Sequence, residues 1–176
     1  MRTALHADPA GIFLHDAVLA SCHTFSERTA IIDTSNGLRL SYAEYGERVE
    51  ALARGLIAAG VKPGEIIAIY LPNSWEFAAT YHAATLVGAV PTLLNPSYRE
   101  REVRYQLENS GAVLLISDGP HIAGMNLAGL PNLRGVYTSR ETLAGALNLS
   151  SLLQASPVAM PHPEQSSQET LAALPY

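Results

Sequence analysis

At 176 residues, with 48% hydrophobic and 15% charged side chains, the chain has the size and composition of one soluble α/β domain, alone or with a loose tail. A net charge of −5 without any basic stripe argues against a nucleic-acid partner. The single Cys22 excludes an internal disulfide and suits a reducing, cytoplasmic compartment, and neither a signal peptide nor a run of roughly 18 charge-free apolar residues is present.

Residues 1–10 read as a flexible leader. Gly11–Phe25 carries apolar residues suited to a first helix. Thr29–Asp33 and Leu38–Ser41 read as two strands, and the Asn36-Gly37 pair between them signals a hairpin, because both residue types tolerate positive φ. Ser41-Tyr42-Ala43-Glu44 is an S-x-x-E capping box. The helix it opens has an apolar stripe through Tyr45, Val49, Leu52 and Leu56, with Glu50 and Arg54 paired on the other side. Gly60 ends this helix.

Ile66–Leu71 is a short apolar run suited to a buried strand, stopped by Pro72. Asn73 is expected to cap the next helix, with Glu76 completing the box. That helix is apolar almost all round, which predicts burial. Gly88 ends it, and Val90–Leu94 forms a second strand closed by Asn95-Pro96. Strand, crossover helix and strand predict a right-handed βαβ unit. A second S-x-x-E cap at Ser97–Glu100 leads a helix that Gly111 closes, and Ala112–Ser117 is a third parallel strand. The fold class is therefore α/β: a doubly wound, mainly parallel sheet flanked by helices, with an N-terminal β-hairpin. Beyond Asp118 the expectations are a short helix over Gly124–Ala128, an edge strand over Leu133–Thr138, and a loosely patterned Leu143–Leu153. The α/β subdomain thus covers 11–155. Residues 156–169 form a linker rich in Pro, Ser and Gln, and the strand-like TLAALPY occupies 170–176.

No complete active site is legible. The histidines (His6, His15, His23, His82, His121, His162) show no ligand spacing, and His82 reads as a core histidine. The sequence contains no G-x-S-x-G elbow, no G-x-G-x-x-G and no Walker-type loop. Gly55, Gly60 and Gly64 read as helix-end and turn glycines. Glu44, Glu76 and Glu100 read as caps, and Arg99, Arg101 and Arg104 as a solvated helix face. No catalytic, cofactor-binding or metal residue is assigned.

The order of the motifs nevertheless resembles the N-terminal part of the adenylate-forming, AMP-binding enzymes, which include acyl-CoA synthetases, 4-coumarate–CoA ligases, luciferases and peptide-synthetase adenylation domains. Ala30–Asp33 followed by Leu40-Ser41-Tyr42-Ala43-Glu44-Tyr45 resembles the first core motif, with Tyr45 in place of the usual Leu. Gly60–Glu65 resembles the "G-(V/L)-x-x-G-D" turn. Leu71-Pro72-Asn73-Ser74 with Glu76-Phe77, then Leu86–Pro91 with Asn95-Pro96, are similar to the acyl- and aryl-CoA ligase branch. Glu102–Ala112 matches the helix that follows. Leu174-Pro175-Tyr176 resembles the start of "L-P-Y-S-S-G-T-T-G", so the resemblance implies that the chain stops before the phosphate-binding loop. It implies a parent that converts a carboxylic acid and ATP to an acyl-AMP and then, with CoA, to an acyl-CoA, using ATP, Mg and CoA. Aryl and fatty acids both remain open as substrates. The chain itself is expected to be scaffold, inactive alone. The alternatives are an assembly module that complements a separately encoded remainder, a self-associating fragment, and a free-standing nucleotide-binding domain.

Overall fold

The structure is a computed structural model, and it describes residues 13–34, 36–141, 143–156, 159 and 170–176. The expected leader at 1–10, most of the 156–169 linker and the start of the first helix lie outside the described residues.

Helix α1 (Leu14–Thr24) precedes strands β1 (Thr29–Asp33) and β2 (Leu38–Ser41), which pair antiparallel as a two-stranded sheet. Asp33 pairs with Leu38, and of Asn36 and Gly37 only Gly37 takes a positive φ. The hairpin is therefore closed by a longer loop than the tight two-residue turn that Asn-Gly suggests. Asn36 Oδ1 instead accepts from the Leu38 N–H at 2.9 Å.

Helix α2 (Tyr42–Ala58) starts on the expected capping box. Ser41 Oγ accepts from the Glu44 N–H at 3.2 Å, and the Glu44 carboxylate accepts from the Ser41 N–H at 2.7 Å. The second of these bonds draws the Glu44 carboxyl below its ordinary pKa range. The Glu50–Arg54 pair forms as expected at 3.7 Å.

Strand β3 (Ile66–Tyr70), helix α3 (Trp75–Leu86) and strand β4 (Val90–Leu93) make the βαβ unit, with β3 and β4 parallel. The cap of α3 is Ser74, whose Oγ accepts from the Phe77 N–H at 3.3 Å, and not Asn73. Glu76 is likewise no cap: its carboxylate is buried, with one oxygen lacking a partner among the described residues. No residue of α3 is exposed, as its all-round apolarity predicts. Gly88 ends the helix region at φ +75, where a Cβ would also sit 3.2 Å from the Pro63 side chain.

Helix α4 (Glu100–Ser110) corrects the second expected cap. Its N-cap is Arg99, whose N–H is accepted by the Glu102 carboxylate at 3.1 Å. Ser97 is already engaged: its N–H and hydroxyl both donate to Asn95 Oδ1 at 2.9 Å, an Asx turn. Strand β5 (Leu114–Ser117) follows. The next helix is α5 (Gly119–Ile122), capped by Asp118, and not the expected Gly124–Ala128, where Gly124 has φ +78. Strand β6 (Gly135–Thr138), strand β7 (Leu147–Asn148) and helix α6 (Ser150–Leu153) complete the described elements. β6 is flanked on both sides, by β5 and β7, so it is not an edge.

The main sheet has the order β4-β3-β5-β6-β7, all parallel. Its two faces bury separate cores. Ile67, Ile69 and Ile116 pack with α2, α3 and α6 on one face, while Ala68, Tyr70 and Leu115 pack with α4 and Ile122 on the other. Alternation along β3 sends successive residues to opposite faces, and both are covered, hence its unbroken apolar run. Gly55 stands inside α2, where a Cβ would lie 2.3 Å from the Leu152 carbonyl oxygen of α6. It is a helix-crossing glycine and not a helix-end one.

Candidate functional site

In an open parallel sheet, ligands bind outside the carboxyl ends of the strands, at the point where strand order reverses. Here the chain moves from β3 outward to β4 and then crosses to the other side of β3 to form β5. The reversal lies between β3 and β5, and their carboxyl ends carry Tyr70, Ser117 and Asp118.

These residues are tied together. Ser117 Oγ donates to the Tyr70 carbonyl at 2.8 Å, bracing one strand end on the other. The Tyr70 phenol donates to the Tyr98 carbonyl at 2.5 Å and so fixes the loop that leaves β4. Burial, reinforced by the nearby Asp118 charge, raises the Tyr70 pKa and keeps the phenol a donor. Asp118 is 3% exposed; its Oδ1 accepts from the His121 N–H at 3.0 Å and contacts His121 Nδ1 at 2.6 Å. The His121 ring also meets Tyr70 edge to face, with centroids 5.2 Å apart. A crevice of about 520 Å³ opens here, lined by Tyr70, Ser97, Arg99, Glu100 and His121 among others.

The crevice offers one imidazole and one guanidinium, with the Glu100 and Asp118 carboxylates close by. That set does not fit the phosphates of a nucleoside triphosphate, which need several convergent donors or cations. No group of three or more His, Cys, Asp or Glu able to hold a metal ion occurs among the described residues.

The three arginines read as one helix face separate in space. Arg99 lines the crevice. Arg101 lines a second cavity of about 580 Å³ with Tyr105, Gln106 and Tyr176. Arg104 is a structural clamp, donating to the carbonyls of Asn126 and, at 3.0 Å, Ala128. His82 is half-buried between helices, its Nδ1 2.5 Å from the Tyr45 phenol. His82 is the hydrogen-bonded core histidine the sequence suggests, but its spacing does not name Tyr45 as the partner, and the Asp118–His121 pair is not singled out by the sequence. The Asp118–His121 pair has a local D-x-x-H signal beside a helix-starting proline. Tyr45 and His82 are brought together only by the packing of α2 on α3.

The chain matches the family model described as "AMP-binding enzyme" over residues 18–176. It is 27% identical over 173 residues to 4-coumarate-CoA ligase 1 of Narcissus pseudonarcissus, covering 96% of this chain and 31% of the relative. It is 31% identical over 145 residues to 4-coumarate–CoA ligase 3 of Arabidopsis thaliana, covering 82% of this chain and 26% of the relative. The chain thus spans about a third of the length of the curated relatives it matches. Among solved structures, a long-chain-fatty-acid-CoA ligase from Archaeoglobus fulgidus superposes with a TM-score of 0.82 at 23% identity, covering 97% of this chain and 36% of that one. The fold and the ordered motifs agree, and the match falls on the N-terminal part of acyl-CoA ligase and 4-coumarate-CoA ligase-like enzymes. The chain belongs to the AMP-binding enzyme family.

Proposed function

We propose that this chain is the N-terminal scaffold of an ATP-dependent carboxylic acid–CoA ligase and that these residues alone do not turn over substrate. The observation that carries the reading is the near-complete coverage of the chain, 96%, by a 4-coumarate-CoA ligase of which it spans only 31%. The brace of Ser117 on the Tyr70 carbonyl agrees with a scaffold role for the strand ends. ATP, Mg and CoA then belong to the whole enzyme, together with an aryl or fatty carboxylic acid. A cytoplasmic setting agrees with the free, buried Cys22, and no helix among the described residues is long and apolar enough to cross a membrane.

The test is carboxylate-dependent ATP–pyrophosphate exchange by the pure chain, with 4-coumarate and fatty acids as substrates. The expected rate is background. Exchange that depends on added carboxylate and survives repurification would overturn the scaffold reading.

A second reading, an assembly module for a separately encoded remainder, is favoured by three exposed apolar side chains. Tyr105 is 63%, Leu171 59% and Tyr176 49% exposed. The same surface would serve self-association. Co-expression with a polypeptide carrying the rest of a 4-coumarate–CoA ligase separates the readings. A co-purifying complex with restored exchange supports the module, and independent elution of the two pieces counts against it.

A further inference from the structure

Strand β4 has β3 on one side and, on the other, residues 170–176. The backbone contribution on that free edge is slight. The Leu174 N–H donates to the Pro91 carbonyl at 2.9 Å, and the pairing amounts to the single Thr92–Leu174 bridge. Side chains supply the rest of the hold. Thr92 Oγ1 donates to the Leu174 carbonyl at 2.9 Å, the Tyr81 phenol to the Ala172 carbonyl at 3.0 Å, and the Tyr176 phenol to Asn109 Oδ1 at 2.6 Å.

One of these bonds is enforced from behind. Gln106 of α4 is 1% exposed, and its Nε2 donates to Thr92 Oγ1 at 2.8 Å and to the Leu93 carbonyl at 3.2 Å. The direction is forced by chemistry. A carbonyl oxygen only accepts, so the amide nitrogen must be the end that faces Leu93. Thr92 Oγ1, having accepted from Gln106, turns its one proton to Leu174. The amide is buried at a cost, because Gln106 Oε1 has no partner among the described residues. A site needing only volume would be better filled by Leu at 106 and Val at 92.

We propose that Gln106 and Thr92 form a side-chain latch that sets the register of residues 170–176 on the free edge of β4. The latch holds the Tyr176 ring edge to face with Tyr105, centroids 6.5 Å apart, as a wall of the 580 Å³ cavity. Both are positioning residues. The latch rests on the ligase reading only for its purpose, which is to present this segment at one register to the rest of the enzyme.

Amide hydrogen exchange in the 176-residue chain tests it. Thr92→Val removes the hydroxyl while keeping the shape. The Leu174 amide should then exchange about tenfold faster, in keeping with the loss of a relayed hydrogen bond. The Tyr176 ring resonances should move, and the Ile69 and Leu115 amides of the core should keep their rates. Thr92→Ser should restore Leu174 protection. Gln106→Leu, which frees the Thr92 hydroxyl to rotate, should shift Leu174 in the same direction by less. Three results overturn the latch: unchanged Leu174 exchange in Thr92→Val, no rescue by Thr92→Ser, or an equal rise in the core amides. These outcomes are independent of pyrophosphate exchange, so the latch and the ligase reading fail separately.

Discussion

At Gly55 two residue-level effects oppose each other, and their magnitudes decide the outcome. Alanine in a helix interior is favoured over glycine by about 1 kcal/mol. The added Cβ, however, would lie 2.3 Å from the Leu152 carbonyl oxygen and 2.5 Å from its Cα, both backbone atoms that no rotamer change can move aside. Overpacking of this kind costs about 1–3 kcal/mol. Gly55→Ala is therefore expected to destabilise by about 1 kcal/mol net, read as a lower urea midpoint with an unchanged slope. A midpoint that rises would mean α6 shifts freely and that helix propensity dominates. Along the chain, Gly55 reads like the turn glycines Gly60 and Gly64. Its neighbour in space is almost a hundred residues away, and no local pattern encodes that contact. Glu76 escaped for the same reason. Its spacing from Asn73 imitates a capping box, yet Ser74 is the cap and tertiary packing buries the carboxylate.

Among the elements, α1 buries a side chain that titrates. His15 of α1 is 4% exposed with its Nδ1 unpartnered among the described residues, and His82 of α3 bonds the Tyr45 phenol of α2. Burial lowers the pKa of His15, with Asp16 partly opposing. Burial first, and then the neighbouring His15, lower that of His82, with the Ala78 carbonyl opposing. Burial also raises the Tyr45 phenol far above its usual range, so it stays a donor, and raises the Cys22 thiol. Both imidazoles are thus harder to protonate folded than unfolded. Their contribution is complete above the unfolded value of about 6.5 and is lost as pH falls from there toward their folded values. Glu44 and Glu65 have lowered pKa values and begin to matter only below about 4.5, so the two windows separate. Stability measured by urea denaturation should therefore fall between pH 6.5 and 5, and His15→Phe should flatten that fall. A wild-type curve flat to pH 5 would refute the histidine account. The cap signatures show how far local signals carry at this scale. S-x-x-E located α2 correctly at Ser41 because nothing else competes for that hydroxyl. The same pattern failed at Ser97, where Asn95 captures the serine first and the helix starts on Arg99 instead.

Across the molecule, the parts legible in the sequence are those whose burial is two-sided. The runs IIAIY and LLIS are apolar on successive residues, which only a strand covered on both faces tolerates, and they became β3 and β5 at the centre of the sheet. Past Asp118 the strand expected over Leu133–Thr138 forms as β6, but its interior place in the sheet and the position of the short helix leave no period in the sequence, because their order comes from tertiary contacts. β7 is two residues long, α5 and α6 are four each, and Arg104 pins the intervening loop by its carbonyls. The crevice was illegible for a related reason: Tyr70, Tyr98 and His121 converge only through sheet order. The same inequality of burial predicts an order of opening. Leu115 and Ile116 of β5 are fully buried between β3 and β6, whereas Ile32 of the separate hairpin is 51% exposed and residues 170–176 hang on one backbone bridge. Local openings draw on the least-packed elements and core strands exchange only with global unfolding. In native-state hydrogen exchange the β5 amides should therefore track the global free energy, and the β1–β2 hairpin and Leu174 should exchange through small openings insensitive to low urea. Hairpin amides as protected as β5 would mean that the two-stranded sheet unfolds with the main one, despite sharing no strand pairing with it among the described residues.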